Sequence, residues 1–241
     1  MDRLFPDKKR MNALNNFAQS LPYRFRDISL LNTAFVHRTY LNENPLYPSK
    51  DNERFEYLGD AVLSLSATNL ICKKFPLLPE GALTKIRSAV VNEKSLALLG
   101  KKLSVGDHLL MGRGEDKSGG RDKASILANT MEAVFAAIFL DAGFEKADKV
   151  INNLLEPILS DTELIGRCFD YKSALQEFCQ KAHKTKPHYE VLDRSGPEHN
   201  VTFKVRLTVE GILTQNGLGK GKKEAEKNAA EKAWNKLHGV E

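Results

Sequence analysis

Val201, Phe203, Val205, Leu207 and Val209 alternate strictly with Thr202, Lys204, Arg206 and Thr208. Successive side chains on an extended chain point to opposite faces, so this pattern predicts a half-buried strand. Tyr189 and Val191 before it, and Ile212 to Gln215 after it, predict flanking strands. Turns at Ser195-Gly196-Pro197 and Glu210-Gly211 would join them. Upstream, Leu175, Phe178, Cys179 and Ala182 keep helical spacing within Tyr171 to Lys184, which stops before Pro187. Downstream, a helix rich in Ala, Glu and Lys runs from Lys222 to Leu237 and carries Trp234. Helix, three strands and helix make a small α+β domain.

The first two thirds read differently. Apolar residues recur at three- and four-residue spacing from Leu14 to Phe17, Phe55 to Ile71, Leu83 to Leu99 and Ile126 to Phe139. Pro45, Pro48, Pro76, Pro79 and the glycines at 112, 114, 119 and 120 punctuate them. The expected architecture is an all-α domain over residues 1–160, a polar linker at 161–168 and the α+β domain at 169–239. At 241 residues, 41% hydrophobic and 28% charged, such a chain buries a core without staples, which excludes collagen-like, disordered and disulfide-scaffold classes. Apolar runs such as Ala133 to Leu140 are too short to span a bilayer. No leader pattern follows Lys8, Lys9 and Arg10, and Cys72, Cys168 and Cys179 form no CxxC pair. The thiols read as reduced and buried, the protein as cytoplasmic with no membrane partner. A net charge of +5 permits a polyanionic partner.

The segment Asn52-Glu53-Arg54-Phe55-Glu56-Tyr57-Leu58-Gly59-Asp60 is the most informative. On a helix, Glu53, Glu56 and Asp60 fall at i, i+3 and i+7 and share a narrow wedge, with Ser64 and Ala67 continuing that face. Phe55, Leu58, Val62 and Leu65 hold the opposite face. A second helix, Ser125 to Ala133, sets Asn129 and Glu132 at i and i+3, followed by Ala133, Ala136 and Ala137. Two helices with oxygen ligands followed by small residues can cross closely and gather Glu56, Asp60, Asn129 and Glu132. Carboxylates held together need a compensating cation, and oxygen ligands suit Mg²⁺ or Mn²⁺. Against this, acidic residues on helices are mostly solvated, and spacing alone favours a solvated face. The small-residue continuation brings the two readings level.

The nine-residue segment resembles the signature of ribonuclease III, and Ile126 to Asn129 with Glu132-Ala133 resembles that family's second acidic motif. His37-Arg38 and Glu80-Gly81 fall at matching places, and the C-terminal third resembles a double-stranded-RNA-binding domain. The resemblance implies an Mg²⁺-dependent endoribonuclease, with Mn²⁺ able to substitute. It would hydrolyse both strands of an RNA duplex, leaving 5′-phosphate and 3′-hydroxyl ends. It further implies a homodimer that processes rRNA precursors and other structured transcripts. By motif position, Asp60 and Glu132 become the catalytic acids and direct metal ligands, and Glu56 and Asn129 complete the metal shell. Glu53 and Glu80 support the site, and Tyr57 contacts the partner protomer. The family often has Asp where this chain has Asn129. The Asn is a tolerated variant, a weakened metal ligand, or a loss of catalysis that would leave a non-cleaving RNA-binding regulator.

The last helix opens with Gly219-Lys220-Gly221-Lys222-Lys223, and Lys227 follows one turn on. Lysines at a helix N-terminus oppose the helix dipole unless a phosphate joins them. A-form RNA offers phosphates across its major groove and 2′-hydroxyls in the minor grooves on either side. By resemblance, Gln176 and Glu177 meet one minor groove, His199 the next, and Lys220, Lys222 and Lys223 the phosphates between. Leu175, Phe178, Phe203, Val205, Ala225, Ala229 and Trp234 read as core. Gly112-Arg113-Gly114-Glu115 and Gly119-Gly120-Arg121 follow no strand, so they predict a mobile loop and no nucleotide cofactor.

Overall fold

A computed structural model describes residues 7–196 and 201–238. It falls into two compact units, Met1–Pro76 with Leu83–Thr162, and Leu77–Ala82 with Glu163–Glu241. In chain order the first helices are α1 (Lys8–Ala18), α2 (Ile28–Ala34), α3 (Arg38–Glu43), α4 (Glu53–Lys74), α5 (Glu80–Val90) and α6 (Glu93–Lys102). There follow α7 (Val105–His108), α8 (Arg113–Lys117), a 3-10 turn (Gly120–Asp122), α9 (Ala124–Ala142), α10 (Phe144–Leu159) and α11 (Thr162–Cys168). The chain closes with α12 (Tyr171–His183), β1 (His188–Ser195), β2 (Thr202–Val209), β3 (Leu213–Gly219) and α13 (Lys222–Leu237).

The helical unit is built around α9, which packs against α2, α4, α6 and α10. Met131, Ala133, Val134, Phe135, Ala136, Ala137 and Ile138 are all fully buried. With its 19 residues α9 is long and apolar enough to cross a membrane, contrary to the shorter runs read from sequence. Its most apolar window is 56% buried inside the protein, as a core helix requires. The apolar spacing from Leu83 to Leu99 does not form one helix. Asn92 breaks it, donating its amide to Ser88 O and Ala89 O at the end of α5 and accepting from Ser95 N to cap α6. The face of α4 carrying Phe55, Leu58, Val62 and Leu65 is only partly core. Val62 is buried, whereas Leu65 is 57% exposed. Phe55 and Leu58 border an open hollow with Leu140.

The second unit is an antiparallel sheet in the order β1-β2-β3, with α13 against β2 and β3 and α12 against α13. Val205, Leu207 and Val209 face the helices and are buried, while Lys204 and Arg206 face water. The turn into β3 places Gly211 at φ 71°, a conformation that favours glycine. Gly217 matters for packing: a Cβ there would sit 2.0 Å from Ala225 O, so α13 lies directly on the β3 backbone. Leu175, Ala225 and Ala229 are core as expected, but Phe178, Phe203 and Trp234 are half-buried. Trp234 stacks at the edge with Phe169, Phe178 and His238. The polar stretch expected as linker is largely the helix α11. Of the thiols, Cys179 is buried but Cys72 is exposed, because it lies on the water-facing side of the last turn of α4.

Candidate active site and nucleic-acid interface

The acidic site starts at the first turn of α4. Asn52 is buried and anchors the helix start, donating its amide to Ala34 O at 3.2 Å and its backbone N–H to Val36 O at 2.9 Å. Glu53 and Glu56 then occupy the first turn, where the helix dipole favours negative charge. Gly59 is the residue that makes the site possible. A Cβ there would lie 1.8 Å from Glu132 O, so α4 and α9 touch backbone to backbone at this point. That contact sets Glu56 beside Asn129 and Asp60 beside Glu132. The Asn129 amide donates to the Glu56 carboxylate. Burial raises Glu56 above the usual carboxylate range, the Asn129 hydrogen bond opposes that, and the charge of Glu53 adds to it.

Glu132 carries the largest perturbation. Burial, then the charges of Asp60 and Glu56, push its carboxyl up to about 7. No basic group acts against this rise. The structure thus brings Glu56, Asp60, Asn129 and Glu132 together, with Glu53 at the rim, ion-paired to Arg38 at 3.3 Å. Among the described residues, no three carboxylate, imidazole or thiol groups stand close enough to cage an ion by themselves. A cation here would draw on the Asn129 amide oxygen and on water as well. Crowded, partly buried oxygen donors without a basic partner fit a hard divalent ion.

Beside these groups lies a hollow of about 330 Å³ lined by His37, Arg38, Glu53, Glu56, Glu115, Lys123, Ser125 and Asn129, among others. Glu115 and Lys123 pair at 2.5 Å, and the Lys123 hydrogen bond holds the Glu115 carboxyl below its usual value. Sequence reasoning missed both residues because it took the Gly-rich segment for a mobile loop. The segment is instead α8 and a 3-10 turn, tied down at both ends. Arg121 grips Asp116 and donates to Gly106 O at 2.7 Å and Leu109 O at 3.0 Å. Gly112 N–H donates to Thr39 Oγ1 at 2.9 Å, and Arg113 N–H to Glu43 Oε1 at 2.8 Å. The lysine directly preceding the second acidic helix was the signal available. Glu80 opens α5, in the Leu77–Ala82 segment that belongs to the second unit. Tyr57, one turn after Glu53 on α4, is 85% exposed.

In the second unit, Gln176 and Glu177 are exposed on α12, and Lys220, Lys222 and Lys223 are exposed around the start of α13. That start has no side-chain cap at Gly221, and Glu224 accepts from Lys220 N at 2.7 Å. Lys227 does not join the exposed lysines. Its side chain lies over Gly166, where a Cβ would collide with it. His199 falls outside the described residues.

A helical unit with crowded carboxylates at a helix crossing, followed by an α-β-β-β-α unit with lysines at a helix start, defines a two-domain nucleic-acid-processing protein. Residues 27–158 match the family described as Ribonuclease-III-like, and residues 171–237 match the double-stranded RNA binding motif. Ribonuclease 3 of Syntrophobacter fumaroxidans is 45% identical over 228 residues, covering 92% of this chain and 93% of that protein. Ribonuclease 3 of Treponema denticola is 41% identical, covering 97% of each. The nuclease domain of ribonuclease III from Campylobacter jejuni matches with a TM-score of 0.56 at 41% identity, over 61% of this chain and 96% of that domain. A second structure of that domain, described for flexibility in the region involved in dimer formation, matches with a TM-score of 0.55 at 42% identity, over 60% and 96%. The chain belongs to the ribonuclease III family and is an endoribonuclease.

Proposed function

We propose that the chain is a divalent-metal-dependent endonuclease of double-stranded RNA, working with Mg²⁺ and also accepting Mn²⁺. In this reading it leaves 5′-phosphate and 3′-hydroxyl ends and acts as a cytoplasmic homodimer. Its substrates are rRNA precursors and other structured transcripts. The observation that carries the metal reading is Glu132, raised to about 7 by burial and two neighbouring acids with nothing basic to relieve it.

Asp60 and Glu132 are the catalytic acids in this reading, and Glu56 and Asn129 complete the oxygen set. A bound divalent ion supplies neutralisation of charge on the phosphate oxygens and an attacking water near neutral pH. Asn129 orients Glu56 through its amide N–H, so the Asn retains a positioning role that Asp would not have in the metal-free site. Glu132, raised to about 7, is a carboxyl whose proton a divalent ion bound here would compete with. Glu53 is held off the centre by Arg38. Duplex RNA is drawn in by Lys220, Lys222 and Lys223, with Gln176 and Glu177 on the neighbouring helix.

The homodimer reading is supported by a large aromatic side chain left in water, Tyr57, on the same helix as the hollow bounded by Phe55, Leu58 and Leu140. The cleavage test uses a long RNA hairpin with Mg²⁺ or with chelator, for the native chain and Glu132→Gln. Cuts that need Mg²⁺ and vanish in the variant are expected. Retained duplex binding without any cutting would instead support a non-cleaving regulator.

A further inference from the structure

His37 lines the hollow beside the acids, and the metal chemistry assigns it no task. Resting on the reading of this hollow as the RNA-cleaving site, we propose that His37 touches the substrate. Its neutral imidazole donates Nε2–H to a phosphate oxygen of the strand being cut.

The hydrogen-bond network decides where the imidazole proton sits. His37 Nδ1 lies 2.7 Å from Thr39 Oγ1 and 3.4 Å from Thr39 N. A backbone N–H can only donate, so Nδ1 must present its lone pair. Thr39 Oγ1 accepts the Gly112 N–H at 2.9 Å, which leaves its own proton for Nδ1. An imidazole that accepts at Nδ1 and is neutral carries its proton on Nε2. Among the described residues Nε2 has no hydrogen-bond partner, and the ring lines the same hollow as Glu56 and Asn129. The cationic groups lining the hollow are committed: Lys123 to Glu115 and Arg38 to Glu53. A phosphodiester pressed towards carboxylates needs a donor from the protein, and the His37 ring is one left uncommitted. The ring is held from behind by the segment sequence reasoning took for a loose loop, through Gly112 and Thr39. Gly112 has no room for a side chain, since a Cβ would meet Glu43 Oε1 at 2.6 Å and Thr39 O at 2.7 Å.

Two substitutions separate a substrate contact from a structural role, because His37 also caps α3. His37→Asn keeps a capping acceptor but removes the distal donor, whereas His37→Gln restores an N–H near the Nε2 position. Single-turnover cleavage of an RNA hairpin by the full chain should fall roughly 10- to 100-fold in His37→Asn, as expected for a hydrogen bond to a charged oxygen. Thermal stability, duplex binding and the Mg²⁺ concentration for half-maximal rate should stay unchanged. His37→Gln should recover most of the rate. A His37→Asn chain as fast as the native one overturns the proposal, as do equal losses in both variants that track a fall in Tm. Nitrogen NMR of the His37 ring provides a readout that does not depend on cutting. Nε2 should be protonated and Nδ1 bare, and the Nε2–H signal should move when an RNA duplex and Mg²⁺ are added to Glu132→Gln. A protonated Nδ1, or an unmoved Nε2, sinks the His37 assignment even if the native chain cuts RNA. A moving Nε2 in a chain that never cuts supports His37 as a phosphate contact and removes the cleavage reading instead.

Discussion

At the scale of single residues, charge crowding governs this protein's chemistry. Glu132, at about 7, lies above an ordinary carboxyl at 4.5, so the folded chain binds more protons than the unfolded one between those values. In metal-free protein this contribution to stability is therefore present at low pH and lost as pH rises towards 7. A divalent ion competes with that proton, so its stabilising effect should grow over the same range. Melting curves with Mg²⁺ and with chelator at about pH 5.5 and about pH 7.5 check this, a larger Mg²⁺-induced rise in Tm being expected at the higher pH. Asn129→Asp should lower the Mg²⁺ needed for half-maximal cleavage, because it adds a negative oxygen ligand. The same change removes the amide that donates to Glu56, so the metal-free variant should melt earlier than the native chain. An unchanged or higher Mg²⁺ requirement would refute the ligand role of residue 129. Spacing on two helices brought these four residues only level with a solvated face, and the family resemblance singled them out. Their perturbation was not readable, because burial of Glu132 depends on how the helices cross.

At the scale of elements, the crossing of α4 and α9 decides the site. Its small residues, Gly59 on one helix and Ala133, Ala136 and Ala137 on the other, were visible in the sequence as places where helices could approach. The depth of the approach was not visible. Gly59→Ala would drive a methyl into Glu132 O, backbone atoms that cannot swing aside. The expected cost is about 1–3 kcal/mol of stability, measured by denaturant unfolding. The helices must part to accept the methyl, so cleavage should fall by about 100-fold even where the variant remains folded. Asn92 shows the converse limit of periodicity. The apolar spacing from Leu83 to Leu99 continues through it, yet one side chain that caps two helices at once ends the first and begins the second. The Gly-rich segment before α9 misled for a related reason. Its glycines suggested freedom, and Gly114 and Gly119 do lie in open space, whereas at Gly112 and Gly120 neighbouring backbone or carboxylate atoms leave no space for a Cβ.

At the scale of the whole molecule, two functions are carried by two units with different physics. The second unit should bind duplex RNA through phosphate charge, so affinity should fall steeply with salt and depend little on sequence. Replacing Lys222 or Lys223 with Ala should weaken binding uniformly across duplexes and reduce the slope of log affinity against log salt by about 1 for each lysine. Titrations at several salt concentrations measure this. A slope unchanged by both substitutions would remove these lysines from the interface. Tyr57 belongs to this scale as well. At 85% exposure it contributes little to the monomer's core. Tyr57→Lys should therefore leave the unfolding of the helical unit nearly unchanged while dissociating the proposed homodimer in sedimentation equilibrium.

Local patterns were enough to define the α-β-β-β-α order of the second unit, the helical character of the first and the acids that face one way on each helix. Each of these depends on periodicities and turn residues that act over a few positions. Long-range packing settled the rest: that burial raises the Glu132 carboxyl, that Lys123 and Glu115 border the acids, that Lys227 turns away from its neighbours and that His37 lines the same hollow as Glu56 and Asn129. Those outcomes arise where segments far apart in the chain exclude water from each other or share a hydrogen bond, and no short stretch of sequence records which partner that will be.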